Sequence, residues 1–113
     1  MRSPITTHVL DTSLGKPAVG VLVQLDEWSD GEWVQIGSGV TDADGRILNL
    51  LPSDRLLSNT TYRLTFFTQK YFSSRKQESI YPKVSVEFFA SPGQHYHIPL
   101  LISPYGYTTY RGS

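Results

Sequence analysis

The sequence predicts an all-β fold in the form of a two-layer β-sandwich. One clear strand signal runs from Val19 to Leu25, where β-branched residues are frequent and Val or Leu recurs at every second position. Other short apolar segments follow, and turn signals such as Asp44-Gly45 and Ser91-Pro92-Gly93 separate them. Many short strands divided by such turns are typical of a β-sandwich.

The remaining strands are predicted from β-branched and aromatic content between turn signals. Ser29-Asp30-Gly31 separates the first strand from the second, and Ser103-Pro104 precedes the last one. After Val19 to Leu25, the predicted strands are Trp33 to Gly39, Arg46 to Leu48, Tyr62 to Thr68, Val84 to Ala90, His95 to Ile102 and Tyr105 to Arg111.

One segment favours a helix. Lys70 to Glu78 follows a predicted strand, lacks Gly and Pro, and can bury Tyr71 and Phe72 while its basic end stays solvated. Leu50 to Thr60 contains Pro, Asp and Asn residues and is interpreted as one irregular connection. Because no repeat or linker interrupts the chain of 113 residues, residues 1–113 are expected to form one domain.

Charge and composition exclude several classes of protein. Ten basic and ten acidic residues cancel and are scattered along the chain, which argues against a nucleic-acid partner. There is no cysteine, so disulfides and thiolate metal sites are excluded. No stretch approaches the roughly 20 apolar residues of a membrane-spanning helix, and the first residues lack a signal-peptide pattern. We expect a cytoplasmic protein with no nucleic-acid or membrane partner.

The segment from His95 to Ile102 places two histidines on one side of a strand. Strand alternation directs Tyr96 and the apolar residues at every second position after it toward the core, and His95 and His97 to the opposite face. The simplest interpretation is a pair of surface or interface residues with ordinary hydrogen bonds. Together with His8, the pair would also supply three nitrogen ligands for zinc with one open position.

Two further positions are candidates for chemistry. Arg46 directly follows Asp44-Gly45, a pair suited to a tight hairpin turn, so its guanidinium leaves a defined strand start and can clamp a planar anion. A solvated surface arginine is the simpler alternative, and His8 is equally ambiguous by itself. The tetrapeptide Tyr110-Arg111-Gly112-Ser113 ends an aromatic, β-prone stretch, so we expect it to be docked rather than frayed.

These residues lie in segments that resemble one family, the transthyretin-related 5-hydroxyisourate hydrolases. Transthyretin itself, a hormone carrier of the same fold, lacks the histidine, arginine and histidine at the corresponding places and does not end in this tetrapeptide. The resemblance therefore falls on the enzyme side. The matching segments, which span nearly the whole chain, are His8-Val9-Leu10-Asp11 with Gly15-Lys16-Pro17-Ala18, Thr41-Asp42-Ala43-Asp44-Gly45-Arg46, His95-Tyr96-His97-Ile98-Pro99-Leu100-Leu101, and Ser103 to Ser113.

The resemblance implies a transthyretin-like two-sheet β-sandwich with one short helix, assembled as a homotetramer with substrate sites where subunits meet. It also implies a reaction of urate degradation. Water opens a cyclic amide of the small-molecule substrate 5-hydroxyisourate and gives 2-oxo-4-hydroxy-4-carboxy-5-ureidoimidazoline. No metal and no organic cofactor is expected.

Amide hydrolysis needs an activated water, stabilisation of charge on the carbonyl oxygen and a proton for the departing nitrogen. We expect His97 to be the base and His8 to orient the water or share the proton. The permanently charged Arg46 is expected to bind substrate oxygens and to stabilise the negative charge that develops during attack. The ring of Tyr110 can pack on the flat substrate, and Ser113 supplies a hydroxyl and the terminal carboxylate. His95 is expected to be structural or to support a residue that contacts the substrate. The expected catalytic residues are His8, Arg46, His97 and Ser113, and the expected substrate-binding residues are His8, Arg46, Tyr110 and Arg111.

Three alternatives remain open at the level of sequence. The same fold can carry a small molecule between subunits without catalysis, because a fold does not specify an activity. A zinc hydrolase can be built on His8, His95 and His97. An immunoglobulin-like interaction module needs no convergence of these residues at all.

Overall fold

The computed structural model describes residues 3–113, which fold into two β-sheets and one short helix around a shared apolar core. The all-β prediction is confirmed. In chain order the elements are β1 (Ile5–Asp11), β2 (Lys16–Pro17), β3 (Leu22–Ser29), β4 (Glu32–Val40), β5 (Arg46–Ile47), β6 (Thr60–Phe66), α1 (Thr68–Ser74), β7 (Val84–Ala90), β8 (Tyr96–Ser103) and β9 (Gly106–Thr109).

The first sheet has the strand order β2-β1-β8-β9, with β5 also paired to β1, and the second has the order β4-β3-β6-β7. Strands β1 and β8 run parallel, whereas the other pairs are antiparallel. Because β1 and β8 are far apart in sequence, their pairing brings the two ends of the chain together. Within residues 3–113 no helix is long and apolar enough to cross a membrane.

Strand β8 shows how the sequence directs its two faces. Tyr96, Ile98, Leu100 and Ile102 are all buried, while His97 lies on the outer face and is only half-buried. Burying each apolar side chain of this kind contributes about 1.5–3 kcal/mol. The alternation predicted for this segment is therefore confirmed, and it leaves the histidine beside solvent.

Strand β1 was not predicted, although it occupies the middle of the first sheet. Its residues from Ile5 to Asp11 are buried or half-buried on both faces, so its apolar and polar residues do not alternate cleanly. Thr6 and Thr7 are fully buried despite their hydroxyl groups. Both find hydrogen-bond partners on β8 or the segment before it, and these partners offset the cost of burial.

Other boundaries shift for local reasons. The predicted strand from Val19 begins instead at Leu22, because Gly20 adopts a φ of 84° and turns the chain. The helix begins at Thr68 and ends before Lys76, which adopts a φ of 59°. Tyr71 and Phe72 are buried, as predicted.

The helix is tied to β1 by a buried hydrogen bond. The Tyr71 hydroxyl donates to Oδ2 of Asp11 over 2.8 Å. The other carboxylate oxygen, Oδ1, accepts from the backbone N–H and the hydroxyl of Ser13. Burial, reinforced by this carboxylate, raises the pKa of Tyr71 to about 12. The phenol therefore remains a donor across the physiological range.

Pro99 lies in an interior strand, where the missing backbone N–H would normally interrupt a ladder. Strand β9 pairs with β8 only from Leu100 onward, so Pro99 lies just beyond this pairing. Its carbonyl oxygen accepts the hydroxyl of Thr109 over 2.7 Å. The proline thus marks the point at which the last residues of the chain leave the regular sheet.

Candidate active site

His8 and Arg46 lie directly opposite each other on neighbouring strands. The antiparallel register of β1 and β5 pairs their Cα atoms, so both side chains leave the same face of the sheet. Asp42 fixes the preceding turn, because its Oδ1 accepts the backbone N–H of Asp44 and of Arg46, both over 2.9 Å. Arg46 therefore begins its strand from a well-defined position.

The turn also needs a glycine. Gly45 adopts a φ of 75°, and any Cβ there would collide with the carbonyl oxygen of Val9. The carbonyl of Gly45 accepts the backbone N–H of Val9 over 2.7 Å. The turn carries the chain from β4 in one sheet to β5 in the other, so it is not the tight hairpin that the sequence suggested.

His97 joins this pair from β8. The parallel register of β1 and β8 places His97 opposite Thr6 and Pro99 opposite His8. The ring centroids of His8 and His97 are 6.4 Å apart, and the ring planes are inclined by 35°. A water molecule or a small planar group between the rings can contact both.

The last residues of the chain cover one side of His97. The backbone N–H of Gly112 donates to the His97 carbonyl oxygen over 2.7 Å and forms an isolated bridge beyond the end of β9. Ser113 then lines a small cleft of about 150 Å³ together with Arg46, Leu48 and His97. Segments that are far apart in sequence thus meet at one point.

The electrostatic surroundings of His8 favour its neutral form. Burial lowers the pKa of His8 below the ordinary value of 6.5, and the nearby positive charge of Arg46 lowers it further. A hydrogen bond to the backbone of Asp44 and the charges of Asp42 and Asp44 oppose this effect. The result is an imidazole that is uncharged at neutral pH and can accept a proton.

Asp42 shows the complementary effect. The backbone N–H of Arg46 is the main cause of its lowered pKa, with a further contribution from the N–H of Asp44. The carboxylate therefore stays ionised and keeps accepting both N–H groups. Its charge also favours protonated His8, so this turn influences the pKa of His8 as well as the position of Arg46.

Tyr110 and Arg111 are not among the residues that line this cleft. The guanidinium of Arg111 lies 4.5 Å from the ring centroid of Tyr96 and donates to Gln94 Oε1 and to the carbonyl oxygen of His95. Tyr110 is 55% exposed. In a single chain, Arg111 fastens the end of the chain to the segment before β8, while Tyr110 faces outward.

Sequence reasoning gave Thr6 no role, and it gave His95 only a structural or supporting role or, in the zinc alternative, that of a ligand. Both residues are linked to His97. The hydroxyl of Thr6 lies 2.8 Å from His97 Nδ1 and 3.2 Å from His95 Nε2. Recognising β1 as a strand would have placed Thr6 on the face of His8, two residues away. Among residues 3–113, no group of three or more His, Cys, Asp or Glu side chains is arranged to hold a metal ion.

The arrangement provides the elements of hydrolysis on an open surface. The imidazole of His97, the permanent cation of Arg46 and the hydroxyl of Ser113 meet at the cleft, but its volume of about 150 Å³ falls below the roughly 300–1,000 Å³ of typical ligand pockets. By itself, the cleft on the outer face of the first sheet is therefore small for a ligand pocket.

Comparison with known proteins gives a consistent result. Residues 5–112 match the family model described as the HIUase/Transthyretin family. A 5-hydroxyisourate hydrolase from Salmonella typhimurium is 46% identical over 110 residues, which cover 96% of this chain and 80% of the relative. The structure of Klebsiella pneumoniae 5-hydroxyisourate hydrolase gives a TM-score of 0.84 at 39% identity and covers 96% of this chain and 98% of its own. Sea bream transthyretin in complex with thyroxine gives a TM-score of 0.89 at 35% identity, with coverage of 96% and 94%.

Proposed function

Because this chain belongs to the HIUase/transthyretin family, we propose that it hydrolyses 5-hydroxyisourate, the reaction for which many of its relatives are named. The product is 2-oxo-4-hydroxy-4-carboxy-5-ureidoimidazoline, and the reaction belongs to urate degradation. The observation that carries this proposal for the chain itself is the meeting of Arg46, His97 and Ser113 at one cleft with His8 beside them.

His97 and His8 share the activation of water in this proposal. His97 accepts a proton as the water oxygen attacks the amide carbonyl carbon, a role that typically contributes roughly 10²- to 10⁴-fold to the rate. His8 holds the same water and stays neutral, which its lowered pKa supports. The ring separation of 6.4 Å leaves room for one oxygen atom between them.

Arg46 and Ser113 act on the substrate. The guanidinium of Arg46 stabilises the negative charge that develops on the carbonyl oxygen, because it remains protonated and offers paired donors. The hydroxyl of Ser113 donates to or accepts from the substrate at the opposite side of the cleft. When the C–N bond breaks, the nitrogen takes the proton held by the imidazolium of His97, which restores the base.

Assembly of several copies would complete the site, and we include a homotetramer in the proposal. Strands β9 and β7 end the two sheets, and each leaves an edge that no other strand of residues 3–113 pairs with. Tyr81, just before β7, packs on Tyr107 of β9 with 5.1 Å between the ring centroids, so these edges lie on the same side of the sandwich. Phe89 on β7 is 84% exposed. Pairing of these edges would join two copies. Packing of the cleft-bearing faces of two such pairs would then supply a second wall for the cleft. Tyr110 and Arg111 are proposed to contact substrate there.

The direct test follows the ultraviolet absorbance of freshly generated 5-hydroxyisourate with and without the protein. We expect its decay to accelerate in proportion to protein concentration and to remain unchanged after metal is removed with a chelator. Mass spectrometry and NMR identify the ring-opened product. No acceleration by fully folded, assembled protein would reject the proposal, and loss of activity on complete metal removal would favour the zinc alternative.

A carrier of small molecules is the second candidate, favoured by the similarity to sea bream transthyretin in complex with thyroxine. A carrier would bind an aromatic ligand stoichiometrically and leave the rate of substrate decay unchanged. Calorimetric titration with thyroxine, performed alongside the kinetic assay, separates the two functions. We expect turnover without tight thyroxine binding.

A further inference from the structure

Thr6 occupies an unusual place between two histidines. It is fully buried in β1, and its hydroxyl oxygen lies 2.8 Å from Nδ1 of His97 and 3.2 Å from Nε2 of His95. The parallel register places Thr6 directly opposite His97, so the shorter contact spans neighbouring strands rather than a flexible loop. The hydroxyl thus lies between two ring nitrogens, one on β8 and one in the segment just before it.

A threonine hydroxyl has one proton to donate and lone pairs with which to accept. Between two ring nitrogens it can therefore donate to one and accept from the other. In one arrangement, His97 Nδ1–H donates to the Thr6 oxygen, and the Thr6 hydroxyl donates to His95 Nε2. In the reverse arrangement, His95 Nε2–H donates to Thr6, and Thr6 donates to His97 Nδ1. The two arrangements give His97 opposite tautomers.

The tautomer decides whether neutral His97 can act as a base through Nε2. When Nδ1 carries the proton, Nε2 has a lone pair that can accept a proton from water. When Nε2 carries the proton, that nitrogen is a donor and cannot perform this step. Only the first arrangement is also compatible with protonated His97. In that arrangement the Thr6 oxygen continues to accept from Nδ1–H after His97 has become an imidazolium.

We propose that Thr6, oriented by His95, is a positioning residue that holds neutral His97 in the Nδ1–H tautomer and thereby leaves Nε2 as the base. This inference deepens the proposed hydrolysis and rests on it for its role in turnover. Thr6 and His95 do not touch substrate; they act through His97. The arrangement is comparable to other sites in which a second polar group fixes the tautomer of a working histidine.

The decisive variants are Thr6→Val, which removes the hydroxyl but keeps the branched shape, and Thr6→Ser, which keeps the hydroxyl. We expect Thr6→Val to lower kcat by roughly 10- to 100-fold, with a smaller change in KM. This is the usual effect of removing a hydrogen-bond partner that orients a functional histidine. Thr6→Ser should restore most of kcat. Thr7→Val is the matched control, because Thr7 is also fully buried in β1 but donates to the carbonyl oxygen of Ile98.

The tautomer itself is read from nitrogen-15 NMR of the assembled protein without substrate, since protonated and unprotonated ring nitrogens resonate far apart. We expect Nδ1 of His97 to be protonated in the wild type and in Thr7→Val, and a mixture of tautomers in Thr6→Val. A wild-type His97 protonated on Nε2 overturns the inference even if every variant of Thr6 fails to fold. Unchanged kcat in folded Thr6→Val overturns it equally.

The same experiments separate this inference from the proposed function. If the wild type fails to hydrolyse 5-hydroxyisourate, the proposed function fails, and the role of Thr6 in turnover fails with it. If the wild type is active but His97 carries its proton on Nε2, the function stands and the role of Thr6 is wrong.

Discussion

Gly112 lies against the ring of His97. A Cβ placed on Gly112 would lie 2.6 Å from Cδ2 of His97 and 3.2 Å from Cγ of Pro99, so only a residue without a side chain fits here without a shift. The backbone N–H of Gly112 also donates to the carbonyl oxygen of His97. The end of the chain is thereby docked on the imidazole that we propose as the base.

Gly112→Ala should consequently impair turnover without disturbing the core. The added methyl group must displace the ring of His97 or the last residues, and displacement of a reacting group by about 1 Å can cost roughly 100-fold in rate. Steady-state kinetics check this, with thermal unfolding as the measure of integrity. Gly106→Ala is the control, because a Cβ there meets only Ser103 Oγ at 3.7 Å. Wild-type kinetics in Gly112→Ala would show that this close contact has no role in catalysis.

Arg46→Gln should lower kcat/KM by roughly 10²- to 10³-fold, the usual effect of removing a donor to developing negative charge. The matched control is Arg63→Gln on the second sheet. Arg63 donates to Asp26 and stacks over Trp33, so its loss affects stability rather than the cleft. Equal losses of kcat/KM in both variants, after correction for the folded fraction, would contradict the assignment of Arg46.

Arg46→Gln should also raise the pKa of His8. The guanidinium disfavours a second positive charge nearby, so its removal makes protonation of His8 easier. Asp44→Asn should act in the opposite direction, because the charge of Asp44 favours protonated His8. NMR titration of the His8 ring C–H signals measures both shifts. Shifts of the same sign in the two variants would contradict this electrostatic description.

The lowered pKa of His8 predicts where catalysis fails in acid. If protonation of His8 sets the acidic limb, kcat/KM should fall as the pH passes the pKa of His8 in the folded protein, which lies below 6.5, the ordinary pKa of histidine. In Asp44→Asn the acidic limb should move to still lower pH. The pH profile of kcat/KM, measured where the protein stays assembled, provides the check. An acidic limb that is unmoved in Asp44→Asn would assign the limb to another group.

Phe89→Lys tests whether the edge of β7 holds copies together. Phe89 is 84% exposed, so a charge there leaves the core unchanged but would be buried unpaired in an edge-to-edge interface. We expect a smaller assembly by analytical ultracentrifugation and at least a tenfold loss of activity at low protein concentration. Leu56→Lys, at a position 76% exposed in the irregular connection, is the control. Retention of both the assembly and the activity in Phe89→Lys would exclude this edge from the interface.

Tyr71→Phe should destabilise the fold by about 1.5–3 kcal/mol, the range for a hydrogen bond to a charged group. The change removes the donor to Oδ2 of Asp11, a fully buried carboxylate. Guanidinium unfolding followed by tryptophan fluorescence measures the free energy of unfolding. Tyr105→Phe, at a position 64% exposed, is the control. A loss below about 0.5 kcal/mol in Tyr71→Phe would indicate that Asp11 is satisfied by Ser13 alone.

Local pattern determined a large part of this protein. Alternation in the segment around Ile98 and Leu100 predicted which face of β8 enters the core, because side chains of a strand point to opposite sides in turn. The Asp44-Gly45 pair predicted a turn, and the structure has a turn there with a φ of 75° at Gly45, although it is not a hairpin. The segment signatures predicted the family, which the comparisons confirm.

Only the tertiary structure decided how the site is assembled. The contact between Thr6 and His97 joins residues 91 positions apart, through a parallel register that no local periodicity encodes. Strand β1 escaped prediction because burial on both faces removes the alternation by which a strand is recognised. Arg111 turns toward Tyr96, and Gly112 lies where a side chain would collide with the ring of His97. Sequence thus determined which residue types are present, and long-range strand pairing determined which of them meet.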